Sequence, residues 1–436
     1  MTAVHTGDLG EVQQHGGSKA LWLQRLRAAA LDRFRTAGFP TAQDEDWRFT
    51  NLQPITAREF PVAGGDPVEF AHGALEPFLY SIPGESTLVF LNGRFLPARS
   101  TLVPLPAGVT LRHLAGVLDA EPDRLADQLG RYARAEQNGF TAQNMAHAGD
   151  GLYLHIARDV EVTAPIHVVF ATDSRGGGTA TYPRNFICLE RGSRAAVIES
   201  YVGLADDAYL TNAVTEAVIG ENAQFEHTRV QRESEKAFHV GTTHLHQGRD
   251  SRVLSFAVTL GGLVARNSID MVLDGQGCHG QMLGFYYGRA QQEIGNHTSI
   301  LHSHPNCDTR EIYKGILDDR SHGIFNGKIY VTPDAQKTDA KQTNRALLLS
   351  DQARIDTKPQ LEIFADDVKC THGATVGALD TAAAFYLKSR GIGPVLGRKI
   401  LTYAFAAEVL EELPYASMRE SLEAVVMSRL EGLAPR

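Results

Sequence analysis

Cysteine is scarce: Cys188, Cys278, Cys307 and Cys370 are four in 436 residues. They are too few and too scattered for a disulfide framework. Excess positive charge is missing as well. Against 51 acidic residues stand 42 basic ones, for a formal charge of -9, which argues against a nucleic-acid partner. No run approaches the roughly 18 apolar residues that cross a bilayer, so no membrane partner is expected. Met1 to Gln14 carries no apolar stretch; no signal peptide is expected, and the compartment read from this is cytoplasmic. Arg175-Gly-Gly-Gly178 lacks the Lys-Ser/Thr of a Walker loop and reads as a solvated loop. No Ser-His-Asp order stands out.

What is present describes a large globular chain. Hydrophobic residues make up 43% and charged residues 21%, enough to bury a sizeable core. The length fits two or three domains, or one elongated domain with appendages.

The N-terminal part, residues 1–150, reads as a mixed, largely helical subdomain. Ser18 to Ala37 places Leu23, Leu26, Ala30 and Phe34 on one helix face, with Ser18 as cap and Gly38-Phe-Pro40 as stop. In Asp44 to Leu52 three acids precede Trp47 and Phe49, a helix cap with two core aromatics or a docking patch. Asn92-Gly93, between Leu88 and Phe95, predicts a tight hairpin. Leu111 to Ala135 is expected to be helical with a break near Pro122. Asn138 to Asp150 is expected to be loop.

At Gly151 the pattern changes to alternation. Leu152, Leu154 and Ile156 alternate, then Ile166, Val168 and Phe170. A repeat follows. Gly192, Gly220, Gly248 and Gly275 each open a Gly, two polar, one small pattern, spaced 28, 28 and 27 apart. The small residues are Ala195, Ala223, Ser251 and Cys278. A fixed period in this range, built of strands and turns, predicts a parallel β-helix over 151–378, with glycines stacked at one corner and small residues stacked inside. A β-sandwich with even turns is the alternative. From 379 to 436 the chain reads as helices. Asp380 caps the first and Gly391 ends it, and Leu396, Ile400, Tyr403, Ala407 and Leu410 form one apolar stripe. Met418, Leu422 and Val425 continue it after Pro414.

Ligand-type side chains concentrate between His302 and Gly377. His302-Ser-His304 places two imidazoles two residues apart, which on a strand share a face and could reach one metal, as in a metal-dependent hydrolase. His244-Leu-His246 has the same spacing on a polar strand face. The acid pairs Asp318-Asp319 and Asp366-Asp367 would serve a polysaccharide-acting β-helix enzyme, or they are turn residues. In Lys369-Cys370-Thr371-His372, a thiol lies between a lysine and a histidine, and Cys370 and His372 share a face.

The segment from Lys358 to Gly377, ending KCTHGATVG, resembles the SufD branch of the SufB/SufD family of iron–sulfur cluster assembly proteins. Tyr386-Leu-Lys-Ser-Arg-Gly-Ile392 and Glu45-Asp-Trp-Arg-Phe-Thr-Asn-Leu52 also resemble it. The resemblance implies a mainly β chain: a right-handed parallel β-helix flanked by N-terminal and C-terminal helical subdomains. It implies a non-catalytic scaffold subunit that pairs through a β-helix edge with a SufB-like paralogue, or as a homodimer when alone. It implies a SufC-like ATPase held by the C-terminal helices, at Leu396, Ile400, Tyr403, Ala407 and Leu410. His372, with Cys370 beside it, then belongs to the cluster-assembly interface and can ligate metal transiently. No permanent cofactor is implied: the iron–sulfur cluster is transient and ATP sits on the partner. Where the SufB branch carries a cysteine, this chain has Asn344, so it lacks the main scaffold thiol.

Overall fold

The computed structural model describes residues 20–63, 70–175 and 178–431; Ser18, the first 14 residues and part of the Arg175–Gly178 loop lie outside them. Strand outweighs helix by 40% to 24%, and the strands wind into a β-solenoid of about eight turns with helices at both ends. Alternation dictates this shape. Consecutive strands go to two facing sheets, so residues of one parity turn inward on both.

The first sheet begins at the hairpin Ser86–Leu91 and Arg94–Phe95. It then takes Ile166–Thr172, Arg194–Gly203, Gln224–Arg232, Arg252–Thr259, His279–Gly288, Asp308–Leu317, Asp339–Leu348 and Lys369–Gly377. The second runs from Val109–His113 and Leu152–Ile156 through Arg184–Leu189, Leu210–Ile219, Phe238–Gln247, Val264–Leu273, Glu293–His302 and His322–Val331 to Arg354–Ile363. Apart from the antiparallel first pair of each sheet, neighbours are parallel and do not slip: Phe225 pairs with Val253, Val253 with Gly280 and Gly280 with Thr309. The core between the sheets holds Val197, Phe225, Ile187, Ala217, Leu245, Ile269, Ile300 and Ile329, all buried. A fully buried side chain of this size contributes about 1.5–3 kcal/mol.

One corner explains the repeat and corrects its phase. Asp159, Gly192, Asn222, Asp250, Gly277, Asn306 and Lys337 all have left-handed backbone, φ 58°, 69°, 56°, 55°, 74°, 59° and 63°. Each gives its N–H to a carbonyl one coil on: Gly192 to Glu221, Asn222 to Arg249, Asp250 to Gln276, Gly277 to Pro305 and Asn306 to Gln336. Gly192 therefore stacks with Asn222. Gly220, Gly248 and Gly275 do share one position, as expected, but its earlier member is Glu190. The three glycines are packed against the preceding coil. A Cβ on Gly220 would lie 2.8 Å from the Arg191 nitrogen, and one on Gly275 2.3 Å from that of Arg249. The buried small column is likewise Ser193, Ala223, Ser251, Cys278, Cys307 and Thr338. Ala195 lies two residues further on, paired with Phe225.

The N-terminal helix Leu21–Ala37 buries Leu23, Ala30, Leu31 and Phe34 and ends at Gly38, φ 66°. The Asn92-Gly93 hairpin forms as expected, with φ 50° and 77°. Trp47 is buried and Phe49 half-buried; Trp47 stacks on Phe140 at 5.3 Å and lies under the Arg266 guanidinium at 3.6 Å. Two expectations fail. Gly139–His147 is a buried helix, not loop, because Asn138 and Thr141 form a reciprocal capping box. Leu111 to His113 is strand, paired antiparallel with Leu152–Ile156, and only Leu114–Ala120 is α-helix before Pro122.

Helices Thr381–Ser389, Pro394–Leu410 and Ala416–Glu431 follow the solenoid. Asp380 caps the first, accepting the Ala382 N–H at 2.8 Å, and Gly391, φ 83°, follows its end. The other two lie on the outer face of the first sheet. Ala406, Val409, Leu410, Met418, Leu422 and Val426 pack among Phe256, Leu283, Phe285, Tyr287 and Ile316. Lys314, nearly buried, clamps this layer: its Nζ donates to the Phe405 carbonyl at 2.8 Å and pairs with Glu408 at 2.5 Å.

Candidate functional site

Among the described residues the solenoid ends on an unpaired edge. Lys369–Gly377 is the terminal strand of its sheet, and Arg354–Ile363 terminates the other. Pairing with Asp339–Leu348 sets Cys370 over Ala340, His372 over Gln342 and Ala374 over Asn344. Ala340, Gln342 and Asn344 are buried, so Cys370 and His372 share the lumen side, as alternation predicted. Cys370 is half-buried against the core and His372 is exposed. Burial pushes the Cys370 thiol up, so the isolated chain favours the neutral thiol. Ile363, Phe364 and Val376 are exposed around this edge, and Phe385 and Tyr386 on the following helix are more so. An unpaired strand edge leaves backbone N–H and C=O groups of the kind another strand can pair.

The lumen beneath is polar. Gln342 donates Nε2–H to Glu311 Oε2 at 2.7 Å, and Asn344 donates Nδ2–H to Thr357 Oγ1 at 3.0 Å. The other carboxyl oxygen, Glu311 Oε1, and the amide oxygens Gln342 Oε1 and Asn344 Oδ1 are buried with no hydrogen-bond partner among the described residues. Burial pushes the Glu311 carboxyl up to about 7, since nothing positive offsets its desolvation. His372 and Cys370 are donors of the kind that hold iron, yet no group of three or more His, Cys, Asp or Glu able to hold a metal forms among the described residues.

Other candidates disperse. The strand ends at His302, so the two-residue rule fails for His304. His302 is buried in the lumen, whereas His304 sits in the turn, 3.4 Å from Asp274. The pair does not converge on one metal. His244 and His246 lie on the outer face under Tyr132. Asp319 takes a left-handed turn conformation, and Asp366 and Asp367 are exposed turn residues. The helix Pro394–Leu410 turns Gly397, Thr402, Ala406, Val409 and Leu410 inward. Of the predicted stripe, only Leu410 is buried, Tyr403 and Ala407 are half-buried, and Leu396 and Ile400 are 55% and 39% exposed.

Sequence reasoning missed the buried ion pairs. Glu199 accepts from Tyr201 at 2.8 Å and Thr215 at 2.7 Å and faces His227 at 3.1 Å. Burial raises its pKa, but the His227 charge and these hydrogen bonds outweigh that and hold it at about 2. Glu233 pairs with His239 at 2.7 Å. Under the N-terminal helices, Arg184 and Glu216 pair at 2.5 Å with both side chains fully buried. Parity places Glu199 and His239 in the lumen and Arg184 and Glu216 on the outer face that the N-terminal layer covers, but charge on a strand ordinarily signals a solvent face.

Two facing, largely parallel sheets wound over about eight turns, with helices at both ends, define the class: a β-solenoid protein. Residues 170–405 match the SufBD core domain of SUF-system FeS cluster assembly, and residues 12–168 match the SufBD N-terminal region. The chain belongs to the SufBD family. An iron–sulfur cluster assembly SufBD family protein of Synechocystis is 33% identical over 97% of this chain and 94% of its own length. The iron–sulfur cluster assembly protein SufD of Escherichia coli is 30% identical over 92% of each chain, and SufD of Bacillus subtilis 26% over 94% of each. No helix among the described residues is long and apolar enough to cross a membrane.

Proposed function

We propose that this chain is a non-catalytic subunit of an iron–sulfur cluster assembly complex. The supporting observation is the unpaired strand Lys369–Gly377, which carries Cys370 and His372 on its lumen side above buried, unpartnered oxygens. A SufB-type paralogue adds its own edge strand there, with backbone hydrogen bonds giving affinity and its side chains completing the iron ligands. The cluster is cargo that forms at this boundary and leaves. His372 ligates it transiently through a neutral imidazole, with Cys370 as the lesser contributor. A SufC-type ATPase binds the exposed side of the Pro394–Leu410 helix and carries the ATP. Without its paralogue the edge pairs with a second copy of the chain. Four free cysteines fit a reducing cytoplasm. The polysaccharide-enzyme alternative loses support because its acid pairs lie in turns rather than along one groove.

The test is complementation of a Suf-dependent strain, joined to size-exclusion of the purified complex. His372→Ala is expected to fold and to co-elute with both partners, yet to build no cluster; Cys370→Ala should be milder. Full complementation by His372→Ala removes the proposed role, and loss of the complex makes the residue structural.

A further inference from the structure

The motif from His302 to Cys307 finds no use in that function, yet the fold assembles it into a compact unit. Cys278 and Cys307 are consecutive members of the buried corner column, each directly before paired residues, His279 and Asp308. Cys278 Sγ lies 3.1 Å from the Gly275 carbonyl oxygen and Cys307 Sγ 3.2 Å from the same oxygen. Both thiols thus converge on one carbonyl from adjacent coils. His302 is fully buried; its Nε2 meets Thr309 Oγ1 at 3.0 Å, and its Nδ1 is buried with no partner. Parallel strands are about 4.8 Å apart, inside the Cα separation of about 4.4–6.8 Å that a disulfide spans.

We propose that Cys278 and Cys307 form a redox-active dithiol that a small peroxide closes to a disulfide, locking two successive coils. A buried structural cysteine is ordinarily inert. Here each thiol has the other as neighbour, and the roles are split. The hydrogen bond from Cys278, with His302 adding to it, pushes the Cys307 thiol down, while the same contact pushes that of Cys278 up. Cys307 is the attacking sulfur. Its thiolate takes one peroxide oxygen, the O–O bond breaks, and the departing hydroxide leaves as water after taking up the proton Cys307 gave up. Cys278 then attacks the sulfenic sulfur, the S–S bond forms, and the displaced hydroxide takes the Cys278 proton. Two thiols lose two electrons and two protons, and one peroxide becomes two waters. The site lies directly beneath a single turn, in which His304 and Asn306 are exposed.

Cys370 is the internal control: it is the more exposed thiol, and its pKa is raised by burial. Oxidation governed by exposure alone would strike Cys370 before the buried pair. The native full-length chain is treated with hydrogen peroxide, alkylated, and mapped by mass spectrometry without reductant. The expected product is a Cys278–Cys307 linked peptide lighter by two hydrogens, reversed by dithiothreitol, formed while Cys370 is still alkylated. Cys278→Ser should stop at a Cys307 sulfenic acid that dimedone traps, and Cys307→Ser should leave Cys278 unmodified. His302→Gln should shift the pH midpoint of the reaction upward, which a packing role would not do. Oxidation of Cys370 with no linked peptide in the folded chain overturns the proposal, as does linkage that appears only after unfolding.

Discussion

His372 lies in register directly above Gln342, and Gln342 donates its amide to the buried carboxyl of Glu311. The opening of the solenoid therefore rests on a carboxyl whose proton burial holds more tightly than usual. Its pKa is raised from an ordinary 4.5 to about 7, so the folded chain binds the proton more tightly than the unfolded chain. Between those values stability falls as pH rises, and beyond them it levels off. Glu311→Gln removes the dependence while keeping shape and acceptor. The variant is expected to gain up to about 3 kcal/mol over the parent at about pH 8 and nothing at about pH 4. Urea midpoints of both chains at both pH values measure it. A Gln variant that is weaker at high pH would mean that Glu311 is ionised and paired.

Arg184 and Glu216 tie the N-terminal layer to the solenoid. Besides the ion pair, Glu216 accepts backbone N–H groups from Gly130 at 3.0 Å, Tyr132 at 3.0 Å and Ala133 at 3.2 Å. Glu216→Ala leaves a guanidinium and three amides without their carboxylate in a dry interface. The expected loss is about 3–5 kcal/mol. Arg184→Met combined with Glu216→Leu should recover part of it, because no charge is then stranded. Denaturant unfolding gives the stabilities, and limited proteolysis near residues 126–138 reports whether the layer has loosened.

The solenoid was legible because alternation and the corner period are both written in residue types. Phase and interior were harder. The left-handed corner accepts Gly192, Asn222, Asp250 and Asn306 alike, so following glycine alone put Gly192 two residues out. His302 and His304 were read as one face because a strand was assumed to continue past the residue where it ends. The buried helix Gly139–His147 hides behind Asn138 and Gly139, which locally resemble a turn. That Cys370 and His372 share a face was legible from spacing. Glu311 and Gln342 were not, because only the coil-on-coil register brings them beneath His372.

The corner makes a prediction that separates backbone from packing. Asn222 is exposed, has φ 56°, and gives its N–H to the Arg249 carbonyl at 2.8 Å. Asn222→Gly keeps the left-handed conformation and should change stability by less than about 0.5 kcal/mol. Asn222→Val forces a branched side chain into it and should cost about 1–2 kcal/mol. Equal effects of the two substitutions on the unfolding midpoint would show that the corner tolerates a change of backbone conformation.

The Pro394–Leu410 helix splits the stripe expected to hold an ATPase between core and surface. Leu410 is fully buried among the solenoid's outer side chains, while Leu396 and Ile400 face outward. Leu410→Ala should therefore destabilise the chain by about 2–5 kcal/mol through the cavity it leaves. Leu396→Asp with Ile400→Asp should leave the unfolding midpoint close to that of the parent, because neither side chain is in the core. If the ATPase binds the outward side, the double Asp chain loses it in a pull-down while still retaining the paralogue. Arg398, on the same helix, donates to the Leu349 carbonyl at 2.6 Å, so the helix stays anchored in the double variant and loss of the ATPase cannot be ascribed to its detachment. Undiminished capture of the ATPase by the double Asp chain would move the contact elsewhere and leave these two residues as ordinary exposed apolar surface.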